Sequence, residues 1–479
     1  MSRLFIFAIG GTGARVLKSL GNLLASGVQV NASEIIPIII DTDEQNADTQ
    51  RTENLLKAYR DLRNQIPDLN GSFFHNKILS LGDLAHQGGV NGWGTNFTIK
   101  FQSTTGKTLR DYINFPFLLD FETKSLLELL YSDNNLDDSL TYGFLGSPNV
   151  GCIVLDELIK TKEFQYFGSI IQPRDRVFII SSIFGGTGAA GFPLLMNNFK
   201  PSAGNIANQG ILSTIPIGAI TVLPYFTLPK NDESRIDSTA FYTKSIAALN
   251  YYQNNIDRVN ALYYIGDSQQ SGTYENIQGG GQQQNDANFI EVAAALSIVD
   301  FMQILESNLT DNKIYKEFSV QNDNQHLRFS DLGKDTNDVI AASLVSLKLT
   351  DIFKVTVEAQ VGSTFAVNNG FTKDFFISGF YKSFSEFINK HFNQWLIELE
   401  RNQRGFSPFG QVTEKDLSNL INGNPIEKKF FGSSALGANQ FVDECSKVKS
   451  KQSTVNGRFI DVMYQASQST FVKKISNLI

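Results

Sequence analysis

The chain has 479 residues, a formal net charge of −7, 42% hydrophobic and 19% charged residues, and 38 phenylalanines. Such a length suggests about two or three structural units of ordinary globular composition, and the acidic balance argues against a broad nucleic-acid-binding surface. Cys152 and Cys445 stand far apart with no CxxC spacing, which excludes a disulfide framework or zinc cluster and suits a cytoplasmic protein. No apolar run reaches the roughly eighteen residues of a spanning helix, and no signal-peptide cleavage pattern follows the first residues, so direct membrane insertion is not expected.

The chain opens with an apolar run from Leu4 to Ile9, then glycines, then Val16, Leu17, Leu20, Leu23 and Leu24 at helical spacing. A second run, EIIPIIID, ends in Asp41-Thr42-Asp43 and reads as a strand buried on both faces. A Gly/Asn-rich loop covers residues 86–96, and the pattern then stays irregular to about residue 172, with one clear helix near Glu122–Tyr131. RVFIISSIF is the next strand and runs into GGTGAAG and a helix; IPIGAITVLPYF and ALYYIGD are further strands around a helical STAFYTKSIAALNYYQNN. Alternating strands and helices predict an α/β fold with one doubly wound, mostly parallel sheet. A polar stretch, QQSGTYENIQGGGQQQND, precedes FIEVAAALSIVDFMQIL, a helix apolar on nearly all sides and therefore central. The expected organisation is a nucleotide-binding domain at 1–285 with an insertion at about 97–172, a core helix within 286–310, and a helix-rich C-terminal region at 311–479.

Two glycine constellations carry the chemistry. Gly10-Gly11-Thr12-Gly13-Ala14-Arg15 and Gly185-Gly186-Thr187-Gly188-Ala189-Ala190-Gly191 each sit between a strand and a helix start. Glycines let backbone amides approach a phosphate, and a helix N-terminus adds partial positive charge. Either loop alone is equally a tight turn, and its threonine equally a helix cap; two at strand ends of one sheet can converge on a polyphosphate. A dinucleotide fingerprint needs a small residue where Val16 stands, although Asp41 or Asp43 could take a ribose. Gly106-Lys107-Thr108 lacks the first glycine of a P-loop, Phe101 standing there, and lacks a strand-to-helix setting. His75, His86, His326 and His391 show no metal spacing.

In this ordered set the chain resembles the tubulin/FtsZ superfamily over roughly residues 1–300, and divergent bacterial tubulin-like proteins more than FtsZ itself. FtsZ-type proteins carry a first glycine loop, an Asn-Thr-Asp turn, a further glycine loop and a Gly-Gly-Gly-Thr-Gly signature. The matching positions here are Gly10–Gly13, Asp41-Thr42-Asp43, the loop with Gly88, Gly89, Gly92 and Gly94, and Phe184-Gly185-Gly186-Thr187-Gly188. Asp41 replaces the usual Asn and Phe184 the first signature glycine. The resemblance implies bound GTP or GDP with Mg²⁺, Glu233 or Arg235 at the ribose, and Asp267 or Asn288 at the guanine edge. It also implies head-to-tail assembly of the chain with itself, and GTP hydrolysis completed by an acid from the neighbouring subunit. Asp331 in HLRFSDL matches the last acid of the family's run, and Arg328 occupies the place of the middle one, which points to slow turnover. The C-terminal residues do not resemble the second FtsZ domain, so partner proteins there stay open. Two other readings compete: a nucleotide-gated scaffold without filaments, and a nicotinamide enzyme on a Rossmann sheet.

Overall fold

The computed structural model describes residues 2–67, 71–101, 104–144, 146–200, 204, 206–230, 236, 238–267, 272–277, 279–311, 313–320, 326–414, 416–426 and 436–479. Its centre is a parallel sheet in the order β3-β2-β1-β5-β6-β7-β8, with β4 also paired to β2. The strands are β1 Leu4–Ile9, β2 Glu34–Ile40, β3 Lys77–Ile78, β4 Thr98–Ile99, β5 Arg176–Ser182, β6 Ile217–Val222, β7 Ala261–Asp267 and β8 Ile314–Val320. Every residue of β1 and β6 is buried, the condition that a parallel sheet covered on both faces imposes and the reason these strands read as unbroken apolar runs.

From β1 the chain crosses through α1 (Gly10–Ser26) to β2; from β5 it crosses through a helix at Gly186–Asn198 to β6 on the other side. Neighbouring strands β1 and β5 therefore leave in opposite directions, and the crevice above their C-terminal ends is the switch point where open α/β sheets hold ligands. Helix α1 packs with α2 (Ala47–Arg63) and the core helix Phe289–Gln303, whereas the Gly186–Asn198 helix packs with Pro148–Leu155. Phe5 and Phe7 reach instead to Phe164 and Phe167 at ring distances of 5.0–6.0 Å. The sheet continues past the core helix, since β8 pairs with β7 along its whole length.

The C-terminal residues form helices, among them Lys334–Glu358, Gly379–Phe387, Gln394–Arg401 and Val455–Lys474. Their phenylalanines make one aromatic cluster, Phe371, Phe375, Phe384 and Phe459 lying 5.3–5.8 Å apart in successive pairs. Phe387 joins it to the sheet domain through Phe74 at 5.0 Å. One helix stands apart: Phe121–Leu130, in the insertion, has no buried residue. Around it Phe117, Leu119, Phe121 and Leu129 are 79–100% exposed, and Leu126 and Leu130 more than half exposed.

Beneath the switch point lies a buried ionic cluster. Arg15 on α1 pairs with Asp48 at 2.9 Å and with Glu291 of the core helix at 2.6 Å. Arg51 on α2 pairs with Asp48 at 2.8 Å and with Glu398 of the C-terminal region at 2.9 Å, and Lys18 shares Glu398. The Tyr225 hydroxyl accepts from Arg15 at 2.8 Å and donates to Glu291 at 2.6 Å. Three cations thus meet three carboxylates, and four parts of the chain are tied at one point.

Removing one partner of such a cluster leaves buried charge uncompensated, so Glu398→Ala should lower the unfolding free energy by about 3–5 kcal/mol. The exposed Glu386–Lys390 pair, at 3.6 Å, provides the contrast: Glu386→Ala should change stability by no more than about 1 kcal/mol. Urea midpoints at unchanged slope measure both, and equal effects would remove the cluster from its structural role.

Candidate functional site: a glycine-loop cleft at the switch point

Both glycine loops open onto one cleft. It is lined by Gly10, Gly11 and Thr12 from the first loop and by Phe184, Gly185, Gly186, Thr187 and Gly188 from the second, with Arg15, Asp41 and Asp43 at its base. Packing explains several of these glycines. A Cβ on Gly13 would meet the Ala8 backbone at 2.7 Å, and one on Gly188 the Ser182 backbone at 2.7 Å, so each helix is seated directly on the strand before it. Gly10 has φ +67°, the left-handed region that favours glycine, and its Cβ would lie 3.3 Å from Thr187, which shows how closely the loops approach.

A third segment completes the cleft. Tyr142, Gly143, Phe144 and Gly146 form a wall between the loops. A Cβ on Gly186 would meet Phe144 at 3.0 Å and the Gly146 and Ser147 amides at 3.1 and 3.2 Å. The helix Pro148–Leu155 starts from this wall, with Pro at its first turn. Two helices accordingly begin at the cleft, and neither has a side chain accepting from its first amides: the N-cap positions Ile9 and Gly185 make no such bond, whereas the Pro148–Leu155 helix starts behind the wall, where Pro148 has no N–H and the Ser147 amide donates to the Phe144 carbonyl at 2.7 Å. By contrast α2 is capped by Asn46 and the core helix by Asn288. Open amides at a helix start, with the helix dipole behind them, form an anion site.

The opposite side is apolar. Phe226, Leu228, Ile236, Phe241, Tyr274 and Ile277 line it, and Phe184 stacks into this wall 4.8 Å from Phe241 and 5.5 Å from Phe226. The enclosed space is about 160 Å³, below the roughly 300–1,000 Å³ of drug-sized sites; a ligand larger than a phosphate chain would lie across the open apolar rim. The cleft suits a molecule with an anionic end and a flat apolar end.

Its charged side chains are largely committed. Arg15 serves the ionic cluster below. Asp43 accepts from the Gly280 amide at 2.6 Å and the Gln45 amide at 3.1 Å, which fastens the segment around Gly280 to the end of β2. Asp41 accepts from the Asp43 amide at 3.1 Å and the Thr49 hydroxyl at 3.0 Å. Burial, with the Asp43 charge adding to it, pushes the Asp41 carboxyl up to about 7 against the hydrogen bonds it accepts. Burial also raises Asp43, opposed by the amides it accepts from. Thr42 lies beside these acids, buried, and its hydroxyl has no hydrogen-bond partner among the described residues.

Other residues singled out from sequence lie elsewhere. Gly88 borders a shallow hollow with Arg3 and Glu34, at the N-terminal ends of β1 and β2 and thus across the sheet from the cleft. Gly94 packs against Gly82 before β4, and Gly89 and Gly92 face open space. Asp267 pairs with Arg404 at 3.0 Å, both buried. Asn288 caps the core helix in a capping box with Glu291, and Ala189 is buried within the helix that the second loop begins. Glu233 and Arg235 lie outside the described residues. Asp331 receives the Arg328 amide at 2.8 Å and borders a separate groove. Thr108, in the P-loop-like triplet, caps a short helix at Leu109–Tyr112.

The cleft also holds residues that sequence reading passed over: Tyr142, Gly143, Gly146, Ser182, Asn46 and Gln283. The Ser147-Pro148 helix start was the available signal for the third wall.

Fold and cleft together define an α/β protein whose two glycine loops face one cleft at the switch point of a doubly wound parallel sheet. No family model and no curated protein matches the sequence. Among solved structures it is similar to CetZ from Methanosaeta thermophila strain DSM 6194, at 13% identity and a TM-score of 0.32. That similarity covers 64% of this chain and 56% of CetZ. A likeness of this size carries no residue-by-residue correspondence, and the cleft stands on its own geometry.

The raised Asp41 sets a pH dependence. Its folded value of about 7 exceeds the ordinary 3.8, so the fold binds the proton more tightly than the unfolded chain does. The stabilisation is full below about pH 4 and is lost as pH rises through 7, by on the order of 4 kcal/mol over that window. In Asp41→Asn this component should vanish, flattening the pH profile of the urea unfolding free energy between 4 and 7. An unchanged profile would show that Asp41 titrates normally.

Proposed function

We propose that this chain binds a guanine nucleotide, with its phosphates on the two uncapped helix starts at Gly10 and Gly186 and its nucleoside along the apolar wall, and that nucleotide controls head-to-tail self-assembly. The observation that carries the binding half is the convergence of the Gly10 and Gly186 helix starts on one cleft, neither satisfied by a side chain. Choice of guanine comes from the ordered resemblance to tubulin/FtsZ proteins. Mg²⁺ suits the site because it binds through one or two carboxylates together with phosphate oxygens, and Asp41 and Asp43 are the acids at the cleft. Among the described residues no cluster of three or more His, Cys, Asp or Glu could hold an ion without phosphates. A dinucleotide enzyme is disfavoured because Val16 stands where the dinucleotide fingerprint needs a small residue, and because a second glycine loop shares the cleft.

The assembly half is supported by the exposed helix Phe121–Leu130. Monomeric proteins rarely expose so many large apolar side chains together, and this helix lies in the same insertion as Tyr142, Gly143, Phe144 and Gly146 of the cleft, with the short helix Asp133–Leu136 between them. Asp331 sits beside the start of the core helix, since Phe329 packs on Phe406 and Phe406 on Phe289. Its reach to a neighbouring subunit's phosphate therefore depends on how copies stack.

Chromatography of the denatured protein should release GDP or GTP. Gly186→Val should abolish GTP binding by displacing Phe144, Gly146 and Ser147, which its Cβ would meet at 3.0–3.2 Å, with the far-ultraviolet dichroism retained. ATP competing as well as GTP in a titration would count against the guanine reading. For assembly, Leu126→Asp with Leu129→Asp should suppress the light scattering that GTP and Mg²⁺ induce, while GTP affinity holds within about twofold. Absence of nucleotide-dependent scattering in the parent protein at high concentration would leave a nucleotide-gated scaffold as the better description.

A further inference from the structure

A helix apolar on all sides is normally covered all round, yet one stripe of the core helix is open. Phe289, Ala293, Leu296, Asp300 and Gln303 recur at three- and four-residue intervals and border a groove of about 880 Å³. Ile265 of β7 and Phe318 of β8 complete the floor, and Phe318 is 49% exposed. The far wall, Leu327 to Val339, presents Leu332 and Val339 inward with Asp331, Asp335 and Asp338 along it. Asp300 is paired with Lys316 at 2.6 Å, and no Lys or Arg is among the described residues lining the groove.

We propose that this groove docks a single amphipathic α-helix of a partner protein, carrying an apolar face and a Lys/Arg-rich flank. Three observations select that occupant. First, the open part of the stripe follows the core helix from Ala293 to Gln303, about 15 Å at 1.5 Å per residue, which matches roughly three turns of a helix rather than a compact ligand. Second, the stripe and the first turns of the Lys334–Glu358 helix offer ridges at helical spacing on both sides, the surface that another helix packs into. Third, the apolar floor is bordered on the far wall by Asp335 and Asp338, which are exposed and take part in no ion pair among the described residues, so the matching flank is basic. The chain's own exposed helix, Phe121–Leu130, does not fit, because it carries Asp120, Glu122 and Glu128. The site is separate from the glycine-loop cleft, and its occupancy does not depend on what that cleft binds.

The probe is a fluorescein-labelled synthetic 15-residue helix with Leu on one face and Lys along one flank, titrated into the full-length chain by fluorescence anisotropy. A twin peptide with Glu for Lys controls for apolar stickiness. The Lys peptide should bind at least about tenfold tighter than its twin, and more weakly as salt is raised. Asp335→Asn with Asp338→Asn, both on the solvent side of the wall, should weaken it about tenfold; Ala293→Trp, which fills the floor, should abolish binding. Circular dichroism and urea midpoints confirm that each variant is folded. Equal binding of both peptides, or binding indifferent to the paired Asp variant and to Ala293→Trp in folded protein, overturns the proposal. Sedimentation of the chain alone provides the remaining arm: a dimer that the paired Asp variant dissolves would give the groove to a second copy and overturn the partner-helix assignment.

Discussion

A sheet whose strands all run one way has two unlike ends, and this molecule is organised by that inequality. Every crossover helix from β1 and β5 starts at the same edge, so open amides and helix dipoles accumulate there and nowhere else along the strands. Close seating of the helices on Ala8 and Ser182 requires glycine at 13 and 188, and that seating draws the helix starts together above the sheet. The gathering of helix starts at the cleft is therefore a by-product of how a parallel sheet must be connected, and side-chain caps are missing where the two glycine loops stand.

The buried charges below the cleft serve a different end. Arg15 lines the cleft from beneath, but Asp48, Glu291 and Tyr225 hold its guanidinium, so the cation acts as a tie between helices rather than as a phosphate clamp. What faces a ligand is backbone amide and carboxylate. A polyphosphate placed there would bring its own counter-ion, and the acids at the end of β2 would see that ion before they saw the phosphates. Electrostatics and fold are coupled at Asp48, which balances both Arg15 and Arg51.

Much of the sheet could be read from the sequence because buried parallel strands leave continuous apolar runs bounded by glycine, as in Leu4–Ile9 and Arg176–Ser182. The two glycine loops were legible for the same reason: each stands between a strand and a helix of clear period. The third wall was not. It is flanked by the three-residue turn Leu140–Tyr142 and the eight-residue helix Pro148–Leu155, too short for a clear period to register, so the glycine-dense loop at 86–96 drew attention away from Tyr142, Gly143, Phe144 and Gly146. Asn288 illustrates a second limit. Asn and Asp before a helix serve as caps more readily than as ligand readers, and the Asn288–Glu291 capping box was present in the spacing. The C-terminal helices were legible as helices, but their pairing was not, since aromatic side chains pack at many angles and phenylalanine spacing does not name its partner.

One consequence of the ionic cluster concerns biosynthesis. Lys18 and Glu398 are separated by 380 residues, so the floor of the cleft stays incomplete until late in synthesis. At about 5–20 residues per second, roughly 20–80 s pass between the emergence of the two partners. Throughout that interval α1 and α2 carry Lys18 and Arg51 without their shared carboxylate, and neither can be buried as in the finished fold without a desolvation cost. Burial of Lys18 and Arg51 as in the finished fold therefore waits on the helix Gln394–Arg401 that carries Glu398.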